Sequence, residues 1–160
     1  ERRYFTEENA AKIDAMRCLI VEWKGAGYID EIEERLLIAD LFSALNRVAN
    51  IAGTFGCFLS KWTSQSQNKI AMRCRDLKET GVCVEASVGD VFDVPNVAHD
   101  LVYLDPPYTK RQYASYYHIL ETVALGDQPV VEDFVHGRPW LLTFATRAVL
   151  SKHSRVWFMA

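Results

Sequence analysis

A chain of 160 residues, 49% of them apolar, can bury one core, which excludes a disordered segment and sets one domain, or part of one, as the expectation. Its net charge of -3 excludes a nucleic-acid binder that works through basic excess alone. The imbalance is local: residues 1–40 hold ten of the 21 acids and six of the 18 Lys and Arg, leaving 11 acids and 12 bases for residues 41–160. The later part can therefore approach phosphate without strong repulsion. The cysteines Cys18, Cys57, Cys74 and Cys83 are widely spaced, with no CxxC pair and no clustered histidines. That pattern reads as reduced thiols in a cytoplasmic protein with no bound metal. No apolar run approaches the roughly 20 residues of a membrane helix, and no charged-then-apolar leader opens the chain, so no membrane is expected. A start at Glu1 rather than Met reads as a fragment.

In chain order, Thr6 can cap a helix running to Lys24, with Ile13, Met16, Ile20 and Trp23 at helical spacing and Gly25 and Gly27 as stops. Asp30 and Glu33 have capping-box spacing for a second helix. Leu36, Leu37, Leu41, Phe42, Leu45 and Val48 give it a broad apolar stripe ending near Gly53. Further helix is expected from Phe58 to about Asp76, with the polar stretch Thr63 to Asn68 as its weak point. The period then changes. "VCVEASV" (82–88), ending at Gly89-Asp90, and "HDLVYLD" (99–105) read as short strands, the second apolar enough to be covered on both faces. Helix resumes from Ser115 to Leu125. The order implies an α/β sheet preceded by a helical subdomain, divided as 1–78 and 79–160.

The second strand runs into "LVYLDPPYTKRQYASYYH" (101–118). Reactive residues in open α/β sheets sit just beyond the carboxyl ends of strands, which is where Asp105 falls. Pro106 has no N–H, and Pro107 biases it away from the helical region, so the turn is stiff and presents carbonyls without a competing donor. The Asp105 carboxylate and Pro106 carbonyl form a pair of acceptors suited to an exocyclic NH2, whose lone pair they would localise on nitrogen. Tyr108 offers a face on which an extruded base can stack. Asp-Pro-Pro-Tyr also has a plain reading as a strand-ending turn. Lys110, Arg111, Tyr113, Tyr116, Tyr117 and His118 make a basic-aromatic stretch suited to phosphates and unstacked bases, against the alternative that the tyrosines face a core. Arg2, Arg3, Arg73, Arg75 and Lys78 read as solvated surface. His136 and His153 have no neighbouring ligands in sequence, and Glu121 is left open between the site side of its helix and solvent.

The stretch "LVYLDPPYTKRQYASYYHILETVALGD" (101–127), with "RRYFTEENAAKIDAMR" near the start and "VANIAGTFGCFLSKW" at 48–62, resembles the Dam-like, DPPY-type adenine-specific DNA methyltransferases that use S-adenosylmethionine. The resemblance implies a Rossmann-like sheet carrying Asp105, Pro106, Pro107 and Tyr108 as the catalytic motif, with a helical insert or DNA-recognition side at 1–78. It implies that Asp105 lies near the cofactor's amino group, that Asp90 meets the cofactor adenine, and that Lys110 and Arg111 contact DNA. It also implies adenine methylation, as in restriction-modification. Two departures accompany it. No F-x-G-x-G cofactor loop is present, since Gly53, Thr54, Phe55 and Gly56 stand in a region read as helical, and the likeness fades after about Gly126. Both favour a missing N-terminal segment or partner chain. The alternatives are a methyltransferase acting on ribosomal RNA and a catalytically incomplete fragment that binds DNA or a partner.

Overall fold

The computed structural model describes residues 2–78, 81–84, 86–93, 101–105, 114–127 and 155–159. The chain divides into two compact units, Glu1–Asp76 with Ser115–Glu132, and Leu77–Ala114 with Asp133–Ala160.

The first unit is built on three helices. Helix α1 spans Glu7–Gly25, and the Thr6 side chain caps it by accepting from the Asn9 N–H, one of the donors a helix start leaves unpaired. Helix α2 spans Glu31–Val48. Asp30 accepts from the N–H groups of Ile32 and Glu33, while the Glu33 carboxylate accepts from the Asp30 N–H, completing a capping box. Helix α3, Ala114–Leu125, ends at Gly126, whose φ of +65° suits glycine and lets its N–H donate to the Thr122 carbonyl. Ile13, Ile20, Leu41, Ala44, Leu45, Val48 and Ile70 form the main core. Tyr4, Ala49 and Phe55 form a smaller one, and Phe5 and Leu120 lie against both. Each fully buried leucine or isoleucine here contributes about 1.5 to 3 kcal/mol. Trp23, expected on the inner stripe of α1, is exposed: it stands in the last turn, past Ile20, where α1 meets the turn in which the Tyr28 N–H bonds the Trp23 carbonyl.

Two expectations for this unit are corrected. Helix α2 stops at Val48, and Gly53 to Gly56 lie in a loop, with Gly53 at φ +95°. The helix expected from Phe58 to Asp76 is absent: within that segment only Gln65–Gln67 forms a single 3-10 turn. Side chains from elsewhere take up the backbone groups a helix would use. Asn50 binds the Leu59 carbonyl and the Thr63 N–H, and Asn9 binds the Asn68 carbonyl and the Ile70 N–H. Such bonds offer the backbone an alternative to its own ladder. Arg75, read as solvated, donates to the buried Asp40 of α2 at 2.6 Å, and Arg3 donates to the Ser60 carbonyl at 2.7 Å.

In the second unit, β1 (Ala86–Asp90) pairs antiparallel with β2 (Arg155–Met159), from Ala86 opposite Met159 to Asp90 opposite Arg155. The strand expected over 82–88 is thus shifted toward Asp90, and Val82 and Val84 are exposed. The strand expected over 99–105 is not formed by its described residues. Residues 101–105 pair with no strand, and Leu101 and Tyr103 are 88% and 82% exposed. Apolar composition favours burial but does not supply the neighbouring strand. The described residues therefore contain three α-helices and one antiparallel strand pair, the part of the expected α/β sheet that they include.

Candidate active site

Asp90 is the last residue of β1. Its Oδ1 accepts from the Phe92 N–H at 3.0 Å, an Asx turn that ends the strand and fixes one carboxylate oxygen. Asp105 is exposed at the end of the 101–105 segment. Both acids belong to the second unit. Carboxylates accept hydrogen bonds in several directions, so this pair has the chemistry to receive amino or hydroxyl groups of a small ligand. Pro106, Pro107, Tyr108, Lys110 and Arg111 lie outside the described residues, as do Tyr113, His136 and His153.

The helix that follows the motif is seated in the first unit. Tyr116 packs its ring on the loop backbone at Gly56, where a methyl group replacing the glycine hydrogen would stand 2.7 Å from Cδ1 and Cε1 of the ring. His118 is buried and meets the Tyr4 ring edge-on, with centroids 5.7 Å apart. The core reading of the tyrosines thus suits Tyr116, whereas Tyr117 is half exposed; His118, not part of that reading, is buried as well. Glu121 faces solvent. At the far end of α3, Arg17 of α1 donates through Nε to the Val123 carbonyl at 2.7 Å and through Nη2 to the Ala124 carbonyl at 3.0 Å. A cation there complements the negative end of the helix dipole. Neither the Gly56–Tyr116 nor the Arg17 contact was singled out from sequence. The signal available for the first was a glycine inside "GTFGCF" that no turn type required.

The four cysteines are free thiols at exposed positions. Among the described residues no helix is long and apolar enough to cross a membrane.

Comparison with known proteins agrees with the motif. The chain is 37% identical over 142 residues to the type II methyltransferase M.FokI of Planomicrobium okeanokoites, covering 88% of this chain and 22% of that protein. It is 38% identical over 133 residues to the type II methyltransferase M.NlaIII of Neisseria lactamica, covering 79% of this chain and 38% of the relative. With the modification methylase LlaI of Lactococcus lactis subsp. lactis the identity is 36% over 135 residues, covering 81% and 21%. The chain therefore spans between about a fifth and two fifths of the length of these curated relatives. No solved structure matches it. The family model of the D12 class N6 adenine-specific DNA methyltransferases matches residues 1–151, and the chain belongs to that family.

Proposed function

We propose that the protein to which this chain belongs transfers a methyl group from S-adenosylmethionine to the exocyclic amine of adenine in DNA. The observation that carries this reading is the family match over residues 1–151 with Asp-Pro-Pro-Tyr at its chemical centre, residues 105–108. The two carboxylates fit the cofactor: Asp105, exposed, would accept from its ammonium group, and Asp90 from its adenine side. When bound, S-adenosylmethionine supplies an electrophilic sulfonium methyl group.

The chain's own residues prepare the acceptor. Asp105 and the Pro106 carbonyl each take one hydrogen of the adenine NH2, which draws the lone pair out of conjugation with the ring and onto nitrogen. A proline at 107 disfavours the helical region for Pro106, which suits the Pro106 carbonyl to this role. Tyr108 stacks on the extruded base. Asp105 acts by hydrogen bonding, because the amine loses its proton after the methyl has moved. Lys110 and Arg111 bind backbone phosphate. In the wider fold, β1 and β2 would belong to a Rossmann-like catalytic sheet, and the helices within residues 1–78 to the part on the DNA side.

Asp105→Ala in the full-length protein is the test. Tritiated methyl incorporation should fall by at least about 100-fold, the scale of losing a key electrostatic donor or acceptor at a reacting centre. The circular dichroism spectrum should be unchanged, because Asp105 is exposed. Near-normal transfer by the folded variant would remove Asp105 from this role.

A further inference from the structure

We propose that the contact between Gly56 and Tyr116 is a positioning device for the methyl-transfer site, acting on the residues that follow the motif through the first turn of α3; this rests on the methyltransferase reading above. Gly56 belongs to a loop held on several sides. The buried Phe55 accepts from the Tyr4 hydroxyl through its carbonyl at 3.0 Å. Ile51 and Phe58 form a β-bridge across the loop, and the Asn50 carbonyl accepts from the Leu59 N–H at 2.9 Å. The Tyr116 ring therefore rests on a backbone with little room to retreat, and the absent Cβ of Gly56 is what admits it. The backbone at Gly56 is not in the left-handed region, so the requirement for glycine there is one of space rather than of conformation.

Tyr116 is the third residue of α3. Six Cα steps separate Tyr108 from Ala114, a reach of at most about 20 Å, and three separate Arg111 from it, about 10 Å. With His118 against Tyr4, the Gly56 contact fixes the point from which the segment bearing Tyr108, Lys110 and Arg111 is tethered. A methyl group at residue 56 would displace the ring and, with it, the root of that segment.

The experiment uses the full-length protein and three variants, Gly56→Ala, Tyr116→Leu and the two combined. Wild-type methyl incorporation into adenine tests the underlying reading; its absence would overturn both. Given wild-type activity, Gly56→Ala should lower kcat at least tenfold, with KM for S-adenosylmethionine within twofold. Trypsin should cut after Lys110 and Arg111 several-fold faster under native conditions. Tyr116→Leu removes the overlap, so the double variant should perform like Tyr116→Leu alone and better than Gly56→Ala. Should Gly56→Ala fail to fold, Tyr116→Leu decides by itself, through a several-fold lower kcat and faster cleavage at an unchanged Tm. Wild-type kcat and cleavage in a folded variant, a kcat loss that only tracks the folded fraction, or a double variant as poor as Gly56→Ala would each overturn the proposal.

Discussion

Asn50 is fully buried, and both ends of its amide are engaged: Nδ2 donates to the Leu59 carbonyl, while Oδ1 accepts from the Thr63 N–H and, at 3.4 Å, from the Ser66 hydroxyl. Asn50→Ala leaves these partners without it inside a cavity, and should lower the unfolding free energy by about 2 to 3 kcal/mol, read from a urea titration. Glu8 lies at the opposite extreme. Its carboxyl is held below the ordinary value of 4.5, first by the hydrogen bond from Lys12 and then by the Lys12 and Lys69 charges. A depressed acid adds stability above its unfolded pKa and loses it as pH falls through the folded one. Full exposure and salt screening keep this contribution small. At the proposed site, Tyr108 is expected to act through its ring. Tyr108→Phe should be mild, while Tyr108→Ala should weaken capture of the extruded base by about 1 to 3 kcal/mol, reported by 2-aminopurine fluorescence. Equal impairment of the two would mean that the hydroxyl matters.

At the scale of elements, the segment after Ile70 is tied to α2 by Asp40, buried at 5% exposure, whose Oδ1 accepts from Arg75 Nε at 2.6 Å and Oδ2 from the Arg75 N–H at 3.3 Å. Arg75→Ala strands a buried carboxylate with only the backbone donor. It should cost about 2 to 3 kcal/mol, less than a fully buried pair because the guanidinium is half exposed. Lys12→Ala, which breaks the exposed i,i+4 pair with Glu8, should cost far less. Urea midpoints of the two variants should differ accordingly. The same contrast separates what was legible in the sequence from what was not. Thr6 and the Asp30–Glu33 box act within one turn, so α1 and α2 could be read from residues three apart. The segment from Phe58 to Asp76 was misread because Asn9, Asp40 and Asn50 reach it across 9 to 61 positions, and no local pattern reports such bonds. Residues 101–104 were misread because an apolar run shows what a strand prefers to touch, while pairing depends on another strand. Asp105 is proposed from the motif alone, and a motif does not report its surroundings, which depend on tertiary contacts.

For the molecule as a whole, the buried side chains of the described residues are unevenly shared. The core residues among them belong to the first unit, whereas exposed apolar residues occur in both, including Leu19, Val21 and Ile32 of the first and Leu77, Phe92 and Leu101 to Leu104 of the second. Local stability follows buried contacts. Hydrogen exchange on the 160-residue chain should therefore find the slowest amides in α1, α2 and α3, and exchange at least about 100-fold faster over 77–84 and 101–105. Equal protection of those segments would contradict the unequal burial. The seat of α3 also has a consequence in time. Arg17 closes on carbonyls 106 and 107 positions further along the chain, after the polypeptide has left the first unit and returned to it. At about 5 to 20 residues per second, a ribosome adds Val123 about 4 to 15 s after Val48. Throughout that interval the inner faces of α1 and α2 lack Leu120 and Val123, so the nascent chain offers a chaperone an apolar surface that only later synthesis can cover.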